Sequence, residues 1–348
     1  MTKEIKEVLT FKPQEVVKTL LADLSTRTRD VVKRRFGLAS KDTMTLEAVG
    51  QIYGITRERV RQIESFTLRA IKKSAAMAKL EPVFTELKTV MAEYGGVVHE
   101  QEFLEHLSGD QITQNNVHFL LVIGEAFQKL REDDSFHHRW TVDTDVAEGV
   151  HQSLRNLCAA ISEDELLPEE TLVGHFMSGL DKRLSPEEAK KKVKNWLKLS
   201  KEIGLSPVGE WGLSSSPNVR VRGIRDYAFL VMRRHGEPMH FTEVSKAINE
   251  SFNKKANAAT SHNELIKDKR FVLVGRGIYA LSDWGYTPGI VREVIAAILK
   301  KHGPMTRQEV MAAVKKERYV KENTVLVNLK NPKYFKEDKK TGKFSLPA

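Results

Sequence analysis

The sequence predicts a mainly α chain, with a helical helix-turn-helix head followed by tandem winged-helix units, each a few helices plus a small β-wing. Three observations predict it. Residues 45–64 place two glycines four apart among apolar positions at helical spacing, the pattern of two short helices crossing at a tight turn. Beyond Leu80, turn-like stretches recur about every 70 residues, each lying between an apolar helical pattern and a short amphipathic one. Charged residues make up 29% of the chain against 7% aromatic, a balance that leans towards helix, while 41% apolar residues support folded cores.

The elements follow in order. Val16, Val17, Leu20, Leu21 and Leu24 recur at helical spacing, and Val31, Val32 and Phe36 make a second stripe that Gly37 stops. Ser40–Thr43 is a polar turn. Gly50 supplies the small residue that lets two helices cross, and Gly54 falls where the tight turn needs glycine. Val49, Ile52, Ile55, Val60 and Ile63 are expected to form the small core between them. Thr56 is placed to cap the second helix, and Glu58 suits the positive end of its dipole.

The recurring turns are Glu93–His99, Ser162–Pro168, Arg234–His240 and Lys301–Thr306. Helical patterns precede them at Val83–Met91, Leu154–Ile161, Tyr227–Met232 and Ile290–Leu299, and strand-like ends follow at Phe136–Val142, Val208–Leu213, Phe271–Leu281 and Tyr334–Leu346. Helix, turn, two helices and a hairpin is the winged-helix plan. The wing is clearest where Phe271–Val274 and Ile278–Leu281 flank Gly275-Arg276-Gly277, and it is readable where Tyr334-Phe335 and Lys343–Leu346 flank the charged turn Lys336–Gly342. The first two copies are degenerate. Gly212–Pro217 is the expected linker, and Asp283–Pro288 is expected to join the last two units. The expected domains are therefore 1–79, 80–146, 147–216, 217–285 and 286–348.

Net charge is +10, unevenly spread: +8 over residues 1–79, −10 over 80–150, −1 over 151–216 and +13 over 217–348. Two basic ends around an acidic section suggest separate binding surfaces. One cysteine, Cys158, excludes an intramolecular disulfide and a thiolate-only zinc site, and its apolar stripe with Leu154, Leu157 and Ile161 reads as packing. Apolar runs such as Ala228–Met232 are too short to cross a bilayer, and Met1–Thr10 alternates Lys and Glu, so no membrane partner and a cytoplasmic location are expected.

The outward face of the second crossing helix carries the chemistry. Arg57 and Arg61 lie four apart, as do Glu58 and Gln62, so these side chains share a surface. Arg can grip guanine, Gln can pair with adenine, and Glu can accept from cytosine, so these four are the candidate base readers. Thr56, Arg59, Arg69, Lys72 and Lys73 are the candidate phosphate contacts, fixing register without reading sequence.

Arg35-Phe-Gly-Leu38, Thr45-Leu-Glu-Ala-Val-Gly50 and Thr56-Arg-Glu-Arg-Val-Arg-Gln-Ile-Glu64 closely resemble region 4 of the sigma-70 family of bacterial sigma factors, from about Leu20 to Lys73. The resemblance implies a recognition helix that enters the major groove of promoter −35 DNA through Arg57, Glu58, Arg61 and Gln62. It also implies docking on the flap of the RNA polymerase beta subunit, by the surface around Leu21, Leu24 and Val31. It covers under a sixth of the chain. In sigma factors this region ends the chain, whereas here it opens it, and no helix with exposed aromatics for melting DNA is evident among Trp140, Trp196, Trp211 and Trp284. A complete initiation factor is not expected.

Arg225-Asp-Tyr-Ala228, His235-Gly-Glu-Pro-Met-His-Phe-Thr-Glu-Val244 and Arg270-Phe-Val-Leu-Val-Gly-Arg-Gly-Ile-Tyr-Ala-Leu-Ser-Asp-Trp-Gly285 resemble the HARE-type winged helix, as found in the delta subunit of bacterial RNA polymerase. Such domains are implied to bind DNA or polymerase surfaces. The basic balance of this end makes Lys254, Lys255, Lys267, Lys269, Arg270 and Arg276 candidate DNA contacts.

Asp133, Asp134, His137 and His138 lie close together, but their spacing is no standard ligand pattern, and a polar loop explains them. Gly275-Arg276-Gly277 reads as a hairpin turn, not a phosphate cradle. No catalytic constellation has a recognisable context, so neither an enzyme, a metal nor a cofactor is expected. The expected function is a transcription regulator or accessory polymerase factor that binds double-stranded DNA. Two rivals are a sigma mimic that occupies the polymerase flap and the DNA-specificity subunit of a restriction/modification system. The oligomeric state stays open.

Overall fold

A computed structural model describes residues 8–286, 289–338 and 341–347. The chain is mainly α with small β-wings, and it divides into two compact units, residues 1–204 and 205–348.

In the first unit α1 (Pro13–Leu20), α2 (Thr26–Phe36), α3 (Leu46–Tyr53) and α4 (Arg57–Lys72) form the head, and a single turn, α5 (Ala75–Ala78), follows. Next come α6 (Glu81–Tyr94), β1 (Val97–His99), α7 (Glu100–Leu107), α8 (Gln111–Ile123), β2 (Gln128–Leu130) and β3 (Arg139–Thr141). Then come α9 (Thr144–Ala160), α10 (Glu169–Ser178) and α11 (Pro186–Leu197), and β4 (Ile203–Leu205) runs across the division. The second unit holds β5 (Trp211–Leu213), α12 (Ile224–His235), β6 (Met239–His240), α13 (Phe241–Phe252), α14 (Ala258–Lys267), β7 (Phe271–Gly275) and β8 (Ile278–Leu281). It ends with α15 (Val291–His302), β9 (Met305–Thr306), α16 (Arg307–Glu317), α17 (Glu322–Leu329), β10 (Lys336–Asp338) and β11 (Lys343–Ser345).

One connectivity occurs three times: helix, strand, two helices, two strands. The sheet orders are β1-β3-β2, β6-β8-β7 and β10-β11-β9, so the last strand is central each time. The stretch from α6 to β3, read from sequence as degenerate, has this plan in full. Its antiparallel strands are three residues long, with Val98 opposite Trp140 and Trp140 opposite Lys129. The final hairpin starts two residues later than the sequence suggests. Phe335 is buried in the core of its module, and the strand opens at Lys336.

The head does not end its packing at residue 79. One hydrophobic core joins Val17, Leu20, Leu21, Val32 and Ile71 of the head to Val117, Phe119, Leu120 and Leu121 of α8. Two amides of α8 lock this junction. Asn115 Nδ2 donates to the carbonyls of Gly37, Ser40 and Lys41 at 3.1–3.2 Å, and Asn116 Nδ2 donates to that of Leu38 at 3.1 Å. Buried amides need such partners, so the pair fixes one seating of the α2–α3 loop.

Gly212–Pro217, expected as a linker, is instead a packed turn. Ser216 is fully buried, and its N–H donates to Leu213 O at 3.0 Å. The division between units falls earlier, after Gly204. Of the expected joint Asp283–Pro288, the first four residues are described and the last two lie outside the described residues, as do Lys339 and Lys340 of the charged turn.

Candidate nucleic-acid interface

The helix pair α3–α4 is built by local rules. Thr45 and Thr56 cap the two helices, their hydroxyls accepting from Ala48 N at 3.1 Å and Arg59 N at 3.2 Å. Gly54 ends α3 at φ +61°, in the left-handed region. Gly50 is needed at the crossing itself. A Cβ there would stand 2.6 Å from Ile55 O, closer than packed atoms allow. Val31, Val49 and Val60 fill the space between helices completely, ringed by Met44, Leu46, Tyr53, Ile55 and Ile63.

Ile52, expected in this core, is not part of it. It stands 48% exposed, because Leu46 and Tyr53 cover the crossing in its place. The pair is braced from behind by α2. Arg35 Nε donates to Glu64 Oε2 at 2.6 Å, and another guanidinium nitrogen reaches Met44 O. Asp30 accepts from the Tyr53 hydroxyl and from Arg34 Nε at 2.7 Å, and these bonds, the Tyr53 one first, hold its carboxyl below the usual range.

Bracing leaves the opposite face of α4 in water. Arg57, Glu58, Arg61 and Gln62 are all exposed. They occupy one another: Arg61 grips Glu58 with two bonds of 2.7 and 2.8 Å, and Gln62 accepts from Arg59 at 3.1 Å. The Arg61 bond holds the Glu58 carboxyl below its usual range. Such pairs in water contribute little, so their donors and acceptors are available to a ligand offering a better match. Thr56 is exposed, and its hydroxyl oxygen caps the helix. Lys72 and Lys73 are exposed at the far end of α4, and Arg69 Nε donates to Ser65 O at 3.2 Å with its guanidinium outward.

Residues 20–73 match the family described as sigma-70, region 4. The match supports reading this segment as a DNA-binding helix-turn-helix. The region-4 segment spans α2, α3 and α4 entirely, so the cap, crossing glycine and outward face described above all lie within it.

The surface expected to dock polymerase reads differently. Leu21 and Val31 are 1% and 0% exposed, and Leu24 is half-buried. Leu21 and Leu24 pack in the core shared with α8, and Val31 packs in the small core of the helix pair. The sequence showed an apolar stripe but not that a helix about a hundred residues away fills it.

In the second unit Lys255, Lys269 and Arg276 are exposed. Lys254 lies over the Tyr227 ring at 5.6 Å, and Lys267 stands 3.8 Å from Glu264. Arg270 is a correction. Its guanidinium donates to Asp226 Oδ1 and Asp268 Oδ2, each at 2.7 Å, and to Asn218 Oδ1 at 3.2 Å. With its side chain 20% exposed and Asp226 2%, it is a brace of the module rather than a free cation.

The residues missed by sequence reasoning are Asn115 and Asn116. Their only signal was two adjacent amides inside the apolar run of α8. Of the loop set aside earlier, Asp133 accepts from Ser135 N, Phe136 N and Arg139 Nη2, which closes the turn before β3. Burial pushes the Cys158 thiol up to about 11. Among the described residues no group of three His, Cys, Asp or Glu could hold a metal ion, and no helix is long and apolar enough to cross a membrane.

Proposed function

We propose that the protein is a transcription regulator or accessory polymerase factor whose head reads −35-like duplex DNA through Arg57, Glu58, Arg61 and Gln62. One observation carries this reading. The outward face of α4 is exposed and held only by weak mutual pairs, while Leu21 and Leu24, where polymerase docking was expected, pack in the core shared with α8. Thr56, Arg59, Arg69, Lys72 and Lys73 would meet phosphates and set the register.

The second unit, with its two modules of winged-helix plan and HARE-type sequence, would add affinity through Lys254, Lys255, Lys267, Lys269 and Arg276. Binding would then fall steeply with salt. Its place is the bacterial cytoplasm.

A second reading, a sigma mimic docked on the polymerase flap, draws on Ile52 and Phe66, apolar side chains of the head that are 48% and 69% exposed. It would place docking on a different face from the one first expected.

The test is fluorescence anisotropy of the full chain with a −35-like duplex and a shuffled duplex across a salt series. Wild type should prefer the −35-like duplex by about tenfold, the size of one good base contact. Arg61→Ala with Gln62→Ala should abolish the preference. Equal binding of both duplexes by wild type would sink the base-reading assignment. Nuclease-resistant retention on RNA polymerase, lost in Phe66→Ala, would then install the second reading.

A further inference from the structure

The second unit holds a cleft that DNA reading by the head does not use. It lies where β7 meets the segment joining α16 to α17. β7 is the outer strand of its sheet. At the C-terminal end of that edge, the Tyr319 N–H donates to Val274 O at 2.9 Å, and Tyr319 bridges Gly275 in parallel fashion. Gly275 permits this approach, since a Cβ there would lie 2.7 Å from Tyr319 O. The backbone of Tyr319 is thus already laid along β7 as a strand would be.

Around this bridge opens a cavity of about 580 Å³. Leu273, Ile278, Ile290 and Val320 supply its apolar lining, and Leu273 and Ile290 are 50% and 56% exposed. The Tyr319 ring stands beside them, 52% exposed. The charged residues of the lining are Arg276 and Lys321, both exposed, and the buried Arg318, while the Glu293 carboxylate accepts from Ile290 N of the wall at 3.0 Å. Arg318 also secures the wall, donating to Gly289 O at 2.5 Å.

We infer that this cleft binds an extended acidic peptide segment of a partner protein. A bulky apolar side chain seats on Leu273, Ile290 and Val320, and flanking carboxylates meet Arg276 and Lys321. Three features select that occupant. Tyr319 engages β7 at its C-terminal end, and the outer edge ahead of that bridge is where an added strand would find main-chain partners. Grouped apolar side chains left in water gain by being covered. Arg276 and Lys321, the exposed charges of the lining, select a segment of the opposite sign. Duplex DNA matches these charges alone, because its phosphates leave the apolar lining uncovered.

The experiment displays short random peptides to the full chain and measures the enriched sequence, made as a synthetic peptide, by anisotropy. The expected result is a consensus with a central Leu, Ile or Phe between Asp or Glu residues. Its affinity should fall about tenfold in Leu273→Glu and again in Arg276→Glu. Both positions are exposed, so the thermal midpoint should stay that of wild type. No enrichment, a basic or uncharged consensus, or undiminished binding to both variants would each overturn the assignment.

Discussion

Arg61 in the head and Arg270 in the second unit are both arginines that sequence alone nominates for DNA, and the structure separates them. Arg61 is 58% exposed and grips Glu58, itself 57% exposed, one turn away on the same helix. Breaking that pair returns two charges to water, at little cost. Arg270 is 20% exposed and holds an aspartate that is 2% exposed. Breaking that pair strands a buried carboxylate. The first arginine is free to change partners and the second is not, so the number of basic residues overstates the surface open to nucleic acid.

The largest predicted effect tests this contrast from the structural side. Arg270→Ala should lower unfolding free energy by about 3–5 kcal/mol in urea titrations. Arg270→Lys should recover only part of it, because an ammonium cannot reproduce the fork onto Asp226 and Asp268. If Arg270→Ala unfolds like wild type but binds duplex more weakly, Arg270 belongs with Arg61.

Smaller effects are expected in the head. Gly50→Ala should cost about 1–3 kcal/mol, since its methyl group must push against the Ile55 carbonyl. Asn115→Ala should cost about 1–3 kcal/mol, the range for leaving buried carbonyls without their donor. Equal urea midpoints for either variant and wild type would remove the packing argument for that residue.

Acid provides a graded version of the same test. Burial alone would raise the Glu100 carboxyl, but His118 at 3.5 Å and Lys129 at 2.6 Å hold it down at about 2, against an ordinary 4.5. A lowered carboxyl stabilises the fold above its unfolded value and loses that contribution on protonation. Stability from Glu100 should therefore be complete above about pH 4.5 and fall away towards pH 2. Glu100→Gln should flatten the urea-stability profile in that window; an unchanged slope would mean that the carboxylate is not held.

The smallest stability effect is expected at Arg61. Arg61→Ala with Gln62→Ala should shift the thermal midpoint by no more than about 2 °C, as surface changes do. A large shift would mean that the Glu58 pair is structural and that the contrast with Arg270 is one of degree.

The contrast also shows what the sequence could carry. The helix pair was legible because its determinants are local: Thr45, Gly50, Gly54 and Thr56 act on neighbours within a few residues. Ile52 was misplaced because helical spacing identifies a face but not which of its edges a neighbour covers. Arg270 was misread because its buried partner Asp226 lies 44 residues away. The β1–β3 sheet was faint because three-residue strands leave almost no alternating pattern. The filling of the Leu21 face by α8 was invisible for the same reason as Arg270: it depends on long-range packing.

Asn115 reaches 78 residues back to the Gly37 carbonyl, and this bears on how the protein could be dissected or recombined. A head cut at residue 79 would carry a raw apolar flank where Phe119, Leu120 and Leu121 had lain, and it should self-associate. The compact unit that holds this core runs to Gly204, with Trp196 Nε1 donating to Gly95 O at 2.9 Å and His137 N to Leu199 O at 3.0 Å. A replacement head would have to bring its own α8 along, or keep the loop carbonyls that Asn115 and Asn116 clasp.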